Sequence, residues 1–120
     1  MEPEQAEAAI KILKSGNFVD VDFIHKGSGR AFLLEYPDGS KVLRFEDFNI
    51  TNGPDLFVYL AETTAPTGDL EGLGNYIDLG RLKGNAGNQN YELPAGIGNF
   101  NSVVIWCKKF GVLFPYAVMH

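Results

Sequence analysis

The chain has 120 residues and a formal net charge of −5, with 45% hydrophobic residues. That length fits one domain with a core of its own. The acidic balance, with no basic run longer than Lys108-Lys109, lacks the footprint that phosphate binding needs, so no nucleic-acid partner is expected.

Fourteen glycines with nine Phe and five Tyr favour short strands joined by tight turns. A single cysteine excludes an internal disulfide. No run reaches the ~18 apolar residues of a membrane span, so no transmembrane segment is expected in this chain. The opening "MEPEQAEAAIKILKSG" lacks the basic and apolar regions of a signal peptide.

In chain order, "EQAEAAIKILK" places Ala6, Ala9, Ile10 and Leu13 near one helical face, and Gly16 is positioned to end a helix. Residues 1–14 are therefore expected to be a short helical lead-in, and 15–120 the folded domain. From Phe18 the period falls to two. "FVDVDFIH" and "RAFLLEY" read as strands, and "YPDGS" as a turn with Pro37, Asp38 and Gly39 in suitable places. In "KVLRFEDF", reading Leu43 and Phe45 inward carries Asp47 inward as well. "PDLFVYL" alternates Leu56, Val58 and Leu60 against Phe57 and Tyr59. "NYIDLGRLKG", "GNQNYELP", "SVVIWCKK" and "VLFPYAVM" complete the series. About eight short strands point to an all-β, antiparallel β-sandwich, with a barrel-like arrangement as the alternative.

No P-loop, GxSxG, HExxH or CxxC pattern occurs, and His25 and His120 are the only histidines, a poor basis for a metal site. "FEDFNITNGPD" gathers Glu46, Asp47, Asn49, Asn52 and Asp55. Such a cluster can hold calcium, but capping of the turn is the stronger reading. Asp47 and Asp55 are then expected close together, accepting backbone hydrogen bonds. Asn52, Asp55, Asn88 and Asn90 are candidate ligand-binding residues on loops, with satisfaction of loop backbone as the alternative role.

Cys107 ends the run "SVVIWC". Val103, Ile105 and Cys107 share one face of that strand and Val104 and Trp106 the other. Both faces are apolar, so packing is the ordinary reading of the thiol. A functional reading needs a sulfur at the rim of the fold, partly shielded by Trp106 or Phe110 and near Lys108 or Lys109.

Three blocks, "VLRFEDFNITNGPDLFVYL", "YIDLGRLKGNAGNQNYELP" and "SVVIWCKKFGVLF", together resemble the DM13 domain family. The resemblance runs from about Ser15 to the C-terminus. It implies an extracellular or cell-envelope β-sandwich module, often found in lipoproteins, that takes part in electron transfer. It also implies a redox role for Cys107, as a bare thiol or as a ligand of haem. Bare thiol chemistry is the expectation, since His25 is the only other candidate axial ligand and lies in a distant part of the chain. A redox partner protein or another cell-surface protein would be the partner. The competing function is a non-catalytic binding module that uses the "NGPD" and "GNQN" loops.

Overall fold

The computed structural model describes residues 9–120, and all its regular structure is β apart from one turn of 3₁₀ helix at Glu71–Leu73. Eight strands follow in order: β1 Lys11–Val19, β2 Gly27–Glu35, β3 Lys41–Ile50, β4 Leu56–Ala61, β5 Tyr76–Arg81, β6 Gln89–Glu92, β7 Ser102–Cys107 and β8 Val112–Val118. All pairings are antiparallel, in the spatial order β5-β4-β7-β8-β1-β2-β3-β6. The strands form one continuous sheet that is nearly closed and barrel-like. Of the two architectures expected, the barrel-like one describes it.

The helical lead-in is corrected. Residues 1–8 lie outside the described residues, and the rest of the expected helix is the start of β1. Lys11, Ile12, Lys14, Ser15, Gly16 and Asn17 pair with β2, and Phe18 and Val19 pair with β8. Ser15 and His120 exchange backbone hydrogen bonds at 3.1 and 2.9 Å. Helix propensity is a weak prior that such cross-strand pairing overrides. Gly16 caps no helix. A Cβ there would lie 2.2 Å from the Val118 carbonyl oxygen, so glycine lets two strands approach. "VDFIH" is a loop rather than a strand.

The "YPDGS" turn forms as its residues require. The Gly39 and Ser40 amides donate to the Tyr36 carbonyl and to Asp38 Oδ1, each at 2.9 Å, and Gly39 takes φ +87°. In β3 the simple alternation fails. Between the pairs Ser28–Asn49 and Arg30–Glu46, one residue of β2 faces two of β3. This bulge places Asp47 at φ +54° and turns Phe48, not Asp47, into the core.

β4 and β7 have both faces covered. Leu56, Val58, Leu60, Val103, Ile105 and Cys107 enter the main core. Tyr59, Ala61, Val104 and Trp106 form a second cluster, closed by Leu73 of the 3₁₀ turn. The links from β3 to β4 and from β5 to β6 lie at the same end of the sheet. There the Ile50 amide donates to the Asn85 carbonyl at 2.8 Å.

Candidate functional site

Cys107 is the last residue of β7 and sits opposite Leu56, the first of β4. The chain reaches β4 through the 52–55 turn, which folds over the sulfur. Cys107 Sγ donates to the Pro54 carbonyl oxygen at 3.0 Å, and the Lys108 amide donates to the Asp55 carbonyl at 3.1 Å. Asn52 Oδ1 accepts the Gly53 amide at 3.0 Å. Asp55 takes φ +63°, a left-handed conformation that Asp tolerates better than most residues. A Cβ on Gly53 would meet Phe114 Cζ at 2.6 Å, so the turn can seat itself only with glycine there.

The thiol is fully buried, at 0% exposure. The expectation of a partly open sulfur shielded by Trp106 or Phe110 is corrected. Trp106 packs in the cluster on the opposite face, Phe110 is exposed, and the cover over the thiol is the 52–55 turn. The lysine side chains are engaged elsewhere. Lys108 Nζ lies 2.6 Å from Asp78 Oδ2 and 3.8 Å from the centre of the Phe57 ring. Lys109 lies over Phe110.

Asp47 and Asp55 do not jointly anchor the turn through their carboxylates. Asp47 is exposed and pairs with Arg30 at 3.5 Å, while Asp55 pairs with Arg81 at 3.1 Å. What the two share is the positive φ that each allows. Asn52 and Asp55 line one shallow depression of about 230 Å³ with Arg81 and Asn85. Asn88 and Asn90 are not part of that lining. Asn88 Oδ1 accepts the Asp47 amide at 2.9 Å, and Asn90 Oδ1 accepts from Arg44 Nη1 at 3.1 Å. Among the described residues, no three His, Cys, Asp or Glu side chains converge as a metal site would require.

Haem does not fit these residues. The sulfur is sealed and its hydrogen is engaged. The depression outside the turn is smaller than the ~300–1,000 Å³ of typical ligand pockets. His25 Nδ1 is held 2.9 Å from the Asp22 carboxylate, and its ring packs edge-on to Phe114 at 4.7 Å.

A family model described as Electron transfer DM13 matches residues 17–119. The chain belongs to the DM13 family. No curated protein and no solved structure matches it. The family description gives the domain a redox-related role and implies a redox partner. No helix among the described residues is long and apolar enough to cross a membrane.

One group of the DM13 domain escaped the sequence reading. On the outer face of β7, β4 and β5, the rings of Trp106, Tyr59 and Tyr76 form a ladder. Trp106 and Tyr59 lie 6.4 Å apart at 16°, and Tyr59 and Tyr76 lie 4.7 Å apart at 20°. Each contact is a diagonal cross-strand pair. Alternation alone puts Tyr59 and Trp106 on the faces opposite Val58 and Cys107, but only the register brings their rings together. Burial raises the Tyr59 phenol to about 12, with Asp78 adding to the shift.

Proposed function

We propose that this DM13 domain is an electron-transfer module of the cell surface or cell envelope whose working group is the bare thiol of Cys107. The observation that carries the reading is the Sγ–H···O=C contact with Pro54. The chain's one thiol is held dry, one turn below an exposed surface, in a domain whose family is described by electron transfer. The extracellular setting follows from the kind of protein in which such modules occur.

The burial selects the type of redox chemistry. Thiol–disulfide exchange needs a thiolate with an open approach to the partner's sulfur, and the turn blocks that approach. An electron can leave a sealed sulfur without such contact. In that step the thiol loses one electron to the oxidised centre of the partner, and its proton, held on the Pro54 carbonyl while the cover is shut, is released to solvent when the 52–55 turn opens. A thiyl radical remains. No second thiol can reach the radical to form a disulfide, so the step reverses when the partner returns the electron.

The test uses hexachloroiridate(IV), an outer-sphere one-electron oxidant. The wild-type domain is expected to reduce it faster than Cys107→Ser does, and to recover its free thiol when a reductant follows. Equal rates for the two proteins would defeat the thiol reading.

A second reading, a binding module without chemistry, is favoured by one observation. Phe23 is 94% exposed and Ile24 and Phe110 are also exposed. Their chain neighbours Asp22 and Gly111 line one depression together with Val112. Exposed apolar clusters of this kind mark contact sites. In that case the partner meets these side chains rather than Asn52, Asp55, Asn88 and Asn90.

A further inference from the structure

We infer that the ladder Tyr76–Tyr59–Trp106 is the electron route between the domain surface and Cys107. The inference rests on the redox reading of the thiol, and it answers how a sealed sulfur exchanges electrons with a partner.

The geometry is that of a path with one open end. Tyr76 is 40% exposed and can meet a partner's redox centre, whereas Tyr59 and Trp106 are 3% exposed. Electronic coupling falls steeply with separation. The two ring-to-ring steps, 4.7 and 6.4 Å between centroids at small interplanar angles, keep each step short and the π-systems nearly parallel. The far end, Trp106, is the chain neighbour of Cys107, with one peptide link between the residues that carry the indole and the sulfur. The three rings belong to three neighbouring strands, so the sheet's hydrogen bonds fix their spacing.

The step balances with a one-electron oxidant of high potential on the partner. The oxidant gains one electron and is reduced by one. That electron is drawn from Trp106 across Tyr59 and Tyr76, leaving the indole as a radical cation. No covalent bond breaks along the rings. Cys107 then reduces the indole radical cation and becomes a thiyl radical, its proton being released to solvent when the 52–55 turn opens. The reverse sequence returns the electron.

Flash photolysis tests the route. Ruthenium(III) tris-bipyridine, photogenerated beside the protein, serves as the oxidant, and the absorbance of the indole radical is followed. The chain has one tryptophan, so the signal reports Trp106 alone. Tyr59→Phe and Tyr76→Phe keep the packing but remove the phenol oxygen, whose lone pair brings the filled orbitals of the bridging ring closer in energy to those of the indole. Each is expected to slow formation of the indole radical by about tenfold or more, a barrier increase of about 1.4 kcal/mol. Tyr36→Phe, outside the ladder, is expected to leave it unchanged. Equal rates in wild type, Tyr59→Phe and Tyr76→Phe would overturn the route. In Cys107→Ser the radical is expected to form at the wild-type rate and to live longer. Equal lifetimes would remove the thiol as the donor, and with it the reading on which the route rests.

Discussion

If the 52–55 turn is the cover over Cys107, the native thiol reacts with an aromatic disulfide reagent only after that turn opens. Opening breaks the Sγ–Pro54 and Lys108–Asp55 hydrogen bonds, releases Gly53 from Phe114 and loosens the Asp55–Arg81 pair. Two hydrogen bonds at about 1 kcal/mol each, with 0–1 kcal/mol for a largely exposed ion pair, give an opening cost of about 2–3 kcal/mol. By mass action the reaction is slowed roughly 30- to 150-fold relative to the unfolded chain. The assay is stopped-flow absorbance of the released thiolate, in native buffer and in denaturant. Gly53→Ala, which forces a methyl into Phe114, is expected to remove most of the protection while β7 stays folded. A native rate within about threefold of the unfolded rate would refute the seal, since that leaves under 1 kcal/mol for opening.

Gly16→Ala places a methyl against the Val118 carbonyl, where the strands have no room to yield. It should destabilise the fold by about 1–3 kcal/mol in urea unfolding, whereas a helical segment at that position would gain stability. Tyr59 and Tyr91 are both pushed up to about 12 by burial. Of the five tyrosines, these two should ionise last in an ultraviolet titration. Their folded values lie above the unfolded value of 10, so their contribution is intact below pH 10. It is lost as the pH climbs from 10 through 12, and unfolding should accompany that climb. Retained structure with all five phenols ionised together near pH 10 would contradict the burial.

The parts of this structure legible in the sequence are those set by local period and turn chemistry. β7 carries apolar residues on both faces, so its double burial follows from the pattern alone. "YPDGS" specified its own turn. β1 was misread because Ala, Lys and Leu at helical spacing describe a helix equally well, and only β2, β8 and His120 decide otherwise. The inward placement of Asp47 failed at a bulge, where a single extra residue flips the alternation. The seal over Cys107 was out of reach, because the group that covers the sulfur lies 53 residues earlier in the chain. The aromatic ladder was hidden for a similar reason: its rings come from three strands, and their contact depends on a register that sequence period does not specify. The family blocks were legible throughout, and they marked the same cysteine that the fold encloses.

The sealed thiol of Cys107 is proposed to carry an electron. Cyclic voltammetry of the wild-type domain and of Cys107→Ser, at the same surface coverage on an inert electrode, tests it most directly. The wild-type protein is expected to give a reversible one-electron wave that Cys107→Ser lacks while remaining folded by circular dichroism. The same wave in both proteins, or no wave from the folded wild type, would contradict it.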